Sequence, residues 1–127
     1  MDLKTYFENT KGMGVMAAAD AEGQVAIALY SRPHVMDDGT LAFIMADRLI
    51  HHHLKSNPRA AFLFKEEGPG YQGKRFLLTK VREEENSPLL ESLRRRVYLS
   101  ERDGAKESKF LVFFRVEKEL PLVGSED

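Results

Sequence analysis

The chain has 127 residues, 31% of them charged and 43% hydrophobic, with a net charge of -1. That size supports one core and one domain, residues 1–127, and the balanced charge argues against a general nucleic-acid or membrane-surface binder. The absence of cysteine excludes disulfides, zinc–thiolate sites, iron–sulfur clusters and thiol nucleophiles. No apolar run reaches membrane-spanning length, and Met1-Asp2-Leu3-Lys4 lacks the apolar core of a signal peptide. The expectation is a cytoplasmic protein with no membrane or nucleic-acid partner.

In chain order, Asp2 caps a first helix with Leu3, Tyr6 and Phe7 on one face, ended by Gly12 and Gly14. Residues 15–19 read as a strand of small residues, 20–23 as a turn, and 24–31 as a strand alternating at Val25, Ile27 and Leu29. Asp37-Asp38-Gly39 is a turn, and 40–46 the third strand. A short helix at 48–56, with Asp47 as its N-cap, stops at Asn57-Pro58, and strand four follows at 60–65. Residues 66–70 form a loop and 75–81 strand five. Ser87-Pro88 opens a helix with Leu89, Leu90, Leu93 and Val97 on one side. Residues 101–108 are polar and loose, 110–117 the last strand, and 124–127 a frayed tail. Six strands joined mostly by short turns predict a mainly β (α+β) fold, a small six-stranded antiparallel barrel with peripheral helices. Phe110-Leu111-Val112-Phe113-Phe114 is apolar on both faces; one fills the barrel, and the other needs a helix of the same chain or a partner subunit.

The most informative stretch is 45–60. Asp47 and Arg48 open a helix whose N-terminus offers N–H groups and a positive dipole end, with His51, His52 and His53 alongside. Such a site suits an anion, most simply a phosphate. The histidines cannot all ligate one metal ion, because neighbours on a helix point about 100° apart, and residue 55, one turn after His51, is Lys55, which is no ligand. At least one of them belongs on a solvated face.

Gly68-Pro69-Gly70-Tyr71-Gln72-Gly73-Lys74-Arg75 approximates a P-loop, but Arg75 replaces the magnesium-binding Ser or Thr and a strand follows instead of a helix. What remains is a Gly-rich loop permitting close backbone approach. Arg94-Arg95-Arg96 favours the C-terminal end of a helix, and Glu83-Glu84-Glu85 reads as a solvated acidic approach to one. No Ser-His-Asp arrangement can be assigned. Tyr30, at the end of strand two before Ser31 and Arg32, is either a rim core residue or a platform for a flat ligand.

Together these segments resemble the pyridoxamine 5'-phosphate oxidase-like, FMN-binding split-barrel family over about residues 3–123. The resemblance is carried by Gly14-Val15-Met16-Ala17-Ala18-Ala19-Asp20 with Glu22-Gly23, by Asp37-Asp38-Gly39-Thr40-Leu41-Ala42-Phe43, and by Phe114-Arg115-Val116-Glu117. Its most specific element is Leu54-Lys55-Ser56-Asn57-Pro58-Arg59-Ala60. It implies a split barrel that forms a homodimer with one FMN in each of two interface clefts. The isoalloxazine would lie along Leu29, Tyr30 and Ser31. Ribityl and phosphate would meet Met45, Ala46, Asp47 and Arg48, and strand five would add Gln72, Lys74 and Arg75. The chain departs from the family's pattern at the phosphate turn: Ile50 stands at the usual basic position and Leu49 at its neighbour. The charge must come from Arg48, or from His51 or His52. The implied function is an FMN-dependent oxidoreductase acting on an unidentified small molecule or electron donor. The alternatives are a non-enzymatic FMN carrier, or a cofactor-free or haem/metal-binding relative. Pyridoxamine phosphate oxidation itself is disfavoured by the short chain, in which nothing marks a second phosphate site.

Overall fold

The computed structural model describes residues 2–94 and 109–124. Asp2 caps helix α1 (Leu3–Asn9) by accepting the Thr5 N–H at 2.9 Å, and Tyr6 and Phe7 turn inward. Glycine does not end this helix. Arg32 Nη1 donates to the carbonyls of Phe7 (2.9 Å) and Thr10 (2.8 Å), so a buried guanidinium takes its C-terminal carbonyls. Gly12 and Gly14 lie instead within strand β1 (Gly12–Ala19). A Cβ on Gly14 would stand 2.5 Å from the Phe62 ring and 2.7 Å from the Tyr30 carbonyl, so packing across the sheet requires glycine there.

The remaining elements are β2 (Val25–Tyr30), β3 (His34–Val35), β4 (Leu41–Met45), α2 (Leu49–Ser56), β5 (Arg59–Glu66), β6 (Gly73–Glu85), α3 (Pro88–Arg94) and β7 (Phe110–Pro121). Every strand pairing is antiparallel, in one unclosed sheet of order β2-β1-β5-β6-β7-β4-β3. This is the expected mainly β split barrel with peripheral helices. Among the described residues it has seven strands instead of six because β3 is a two-residue pairing, too short to leave a hydrophobic period in the sequence.

β6 runs past the expected end at Val81. Register shifts between Leu77 and Leu78 and between Lys80 and Arg82 let it follow β7, with Glu83 opposite Val112 and Glu85 opposite Phe110. The acidic run is therefore strand, not a solvated approach to a helix. The Gly-rich loop before β6 also has a structural explanation: Gly73, at φ +154°, lies against the Phe64 carbonyl where a Cβ would collide.

From Phe110 to Phe114, β7 is buried on both faces. Phe110, Val112 and Phe114 join the barrel core with Phe7, Met16, Phe43, Phe62, Phe64 and Phe76. Several rings there meet edge to face, Phe43 and Phe62 at 4.9 Å between centroids, while Phe62 and Phe76 stack. Leu111 and Phe113 pack on the other side with Ala42, Leu90 and Leu93, and the Arg82 guanidinium lies 3.7 Å over the Phe113 ring. The cover expected from a helix or a partner is thus α3 of the same chain. Ser87 caps α3 by accepting the Leu90 N–H at 3.1 Å, and Arg94 pairs with Glu91. Arg95, Arg96, Val97, residues 101–108 and residues 125–127 lie outside the described residues.

A different apolar surface is left uncovered. Val25, Ile27 and Leu29 of β2 are 67%, 73% and 72% exposed on the outer face of the sheet. Register extends that face through Val15 and Ala17 of β1, Leu63 and Ala61 of β5, and Leu77 of β6.

If α3 covers the outer face of β7 in solution, Phe113→Ala opens a cavity between them and lowers unfolding free energy by about 3–5 kcal/mol, measured by urea denaturation followed by circular dichroism. A loss below about 1 kcal/mol, the range of surface substitutions, would show that face to be unpacked.

Candidate functional site

The corner between the end of β2 and the start of α2 holds most of the residues singled out in the sequence. Met45 closes β4 fully buried, and Ala46 accepts the Arg48 N–H at 2.9 Å, forming the tight turn into α2. Ile50 and Leu54 anchor the helix in the barrel core. At its far end Ser56 Oγ accepts the Ala21 N–H, docking it on the β1–β2 turn. Asn57 and Pro58 then hand the chain to β5: Asn57 Oδ1 accepts the Arg59 N–H, and the Pro58 carbonyl accepts the Lys80 N–H at 2.7 Å.

The N-cap of α2 is Arg48, not Asp47, and no side chain caps the helix. Its first intrahelical bond is His52 N–H to the Arg48 carbonyl, so the N–H groups of Leu49, Ile50 and His51 precede it. Arg48 is exposed and within electrostatic reach of Tyr30. Tyr30 packs edge-on against Phe43, and burial pushes its phenol up to about 12 against the opposing pull of Arg48. At physiological pH that hydroxyl is a neutral donor and acceptor. Ser31 follows half-buried, whereas Leu29 points to the opposite, outer face.

The three histidines diverge. His51 is fully buried with Nδ1 against Asp47 Oδ1 at 2.9 Å and Nε2 against Glu83 Oε1 at 3.1 Å, which leaves no ring nitrogen for an anion. His52 is exposed, the solvated member expected of the run. His53 is buried and within electrostatic reach of Asp20. The His51 hydrogen bond outweighs the upward push of burial and, with the charges of Lys55, His51 and Lys109, holds the Asp47 carboxyl below the usual range. For Glu83, burial pushes upward but the Lys80 and His51 contacts outweigh it and leave the carboxyl low. Among the described residues no group of three or more His, Asp or Glu is arranged to hold a metal ion.

Gln72, Lys74 and Arg75 form a separate group. The Gln72 carbonyl accepts the Glu66 N–H, Lys74 Nζ binds Glu119 Oε2 at 2.8 Å, and Arg75 Nε donates to the Pro121 carbonyl at 2.8 Å. Register links Tyr30 to Lys74 through Gly14 and Phe64, and Leu29 to Arg75 through Val15 and Leu63. Three strand spacings put the groups roughly 14 Å apart in the sheet. One chain does not bring them together.

Glu83 and Phe110 are missing from the sequence-level site. They reach His51 only through the long β6–β7 pairing, and neither carries a local pattern that points to α2.

No protein-family model and no curated protein matches the chain. Solved structures do. An FMN-binding protein from Syntrophomonas wolfei subsp. wolfei superposes with a TM-score of 0.75 at 17% identity, over 97% of this chain and 85% of that one. HupZ of Group A Streptococcus gives 0.69 at 19% identity, over 94% and 90%. A candidate pyridoxamine 5'-phosphate oxidase from Lactobacillus delbrueckii gives 0.66 at 16% identity, over 91% and 88%. Among the described residues no helix is long and apolar enough to cross a membrane. What this chain shares with those proteins is the fold, an antiparallel split barrel with peripheral helices.

Proposed function

We propose that this chain is a cytoplasmic, homodimeric flavoprotein that binds FMN through its phosphate at Arg48 and the first turn of α2. The observation that carries the reading is a helix start with no side-chain cap, placed beside a guanidinium and the Tyr30 phenol in a flavin-binding fold. Backbone N–H groups and an arginine together suit a terminal phosphate monoester. His51 is engaged elsewhere, so the charge missing from the positions of Leu49 and Ile50 is supplied by Arg48, with exposed His52 beside it. FMN, when bound, supplies hydride or electron transfer, which makes an oxidoreductase acting on a small molecule or electron donor the fitting activity. The protein's part is to hold the phosphate, offer the Tyr30 hydroxyl at the β2 end, and shield the site from water.

A second copy is the fitting cover for the outer face bearing Val25, Ile27 and Leu29. Isolated exposed leucines need no explanation, but this row continues across four strands. Dimerisation also accounts for the separation of Gln72, Lys74 and Arg75 from Arg48, because a partner can bring its own copy of that group to the cleft.

Fluorescence-quenching titrations are expected to give tighter binding of FMN than of riboflavin. Arg48→Ala is expected to weaken FMN about 10- to 100-fold, the loss of one charge-assisted contact of about 1.5–3 kcal/mol, with little effect on riboflavin. Equal affinities for the two flavins would remove the phosphate site. Light scattering is expected to give a dimer mass that Ile27→Asp converts to monomer. A monomer across a wide dilution range would leave the outer face without a partner.

A further inference from the structure

Asp47 stands where the sequence calls for an N-cap, yet it does not cap α2. His51 accounts for this. Its ring is buried, stacked on Phe110 with centroids 4.0 Å apart, and a carboxylate meets each nitrogen: Asp47 at Nδ1 and Glu83 at Nε2. An ionised carboxylate only accepts hydrogen bonds, so both contacts are satisfied only when both nitrogens carry hydrogen. Lys80 Nζ, at 2.8 Å, fixes Glu83 from within β6. Lys55 Nζ lies 3.9 Å from Asp47, and the charge of Lys109 also reaches it. Those lysines are exposed and screened, whereas the His51 contact is made from a buried ring.

We propose that His51 is a positioning residue, a latch whose Nδ1–H draws the Asp47 carboxylate away from the first turn of α2 and keeps its N–H groups open to an incoming phosphate. The identity of that phosphate rests on the FMN reading; the latch itself belongs to the ligand-free protein. Released from His51, the Asp47 carboxylate turns onto the N–H groups of the first turn, where capping and the helix dipole both favour it. There it occupies the donors and repels a second anion.

The test compares the wild type, His51→Gln, and His51→Gln combined with Asp47→Ala. A glutamine amide reaches about as far as Nε2, so it retains the Glu83 contact and drops the one to Asp47. His51→Gln is expected to weaken FMN about tenfold, the scale of one N-cap interaction, and to leave riboflavin unchanged. Adding Asp47→Ala is expected to restore FMN affinity to within about threefold of the wild type. A double variant as weak as His51→Gln, or a His51→Gln protein as tight as the wild type, overturns the latch. In ligand-free protein, the Leu49, Ile50 and His51 amide resonances are expected to shift in His51→Gln and return in the double variant. That response in a protein that binds no FMN would keep the latch and discard the FMN reading. FMN binding without the response would do the reverse. If His51→Gln does not fold, nitrogen NMR of the wild-type ring decides. Hydrogen on His51 Nδ1 is expected, and an Nδ1 that carries none overturns the proposal.

Discussion

Strand β7 is the constraint on which the rest of the molecule depends. It pairs with β6 on one side and β4 on the other, and from Phe110 to Phe114 its residues are buried on both faces. Phe110, Val112 and Phe114 tie it to the barrel, while Leu111 and Phe113 tie it to α3. Because β4 pairs Met45 with Phe110, the start of β7 fixes where β4 ends and where the chain must turn into α2. The same Phe110 supplies the ring on which His51 stacks. The geometry of the candidate site is therefore set by a hydrophobic strand that contributes no polar group to it.

That arrangement separates two jobs that the sequence presents as one. The segment from Asp47 to His53 carries four groups that could serve an anion, and the structure divides them. Asp47 and His51 bind each other, His53 faces inward, and Arg48 with His52 stays toward solvent. A buried imidazole between two carboxylates is a fixed structural element, whereas an exposed guanidinium beside a helix start faces the side from which a ligand would approach.

Much of the fold could be read from the sequence, because most of it is written in local signals. Alternation at Val25, Ile27 and Leu29 marks a strand, Asn57-Pro58 marks a helix end, and Ser87-Pro88 marks a helix start. The alternation does not tell which face is inside: those three residues, apolar as they are, face outward. Non-local features escaped for a physical reason. The extension of β6 through Glu85 depends on pairing with β7, and the cap on α1 depends on Arg32, more than twenty positions downstream. The N-cap shift from Asp47 to Arg48 likewise depends on Glu83 and Phe110, which hold His51 in place to receive Asp47. Local propensity makes Asp47 a cap; a hydrogen bond to His51, whose ring is held by tertiary contacts, engages its carboxylate instead.

The central claim is that the flavin phosphate binds where α2 begins. A crystal structure of the protein grown with FMN tests it most directly. The account predicts phosphate oxygens within hydrogen-bond distance of the Arg48 guanidinium and of the Leu49 and Ile50 N–H groups, with Asp47 still on His51. A phosphate bound at Lys74 and Arg75 of the same protomer, with the α2 corner filled by solvent, would contradict it.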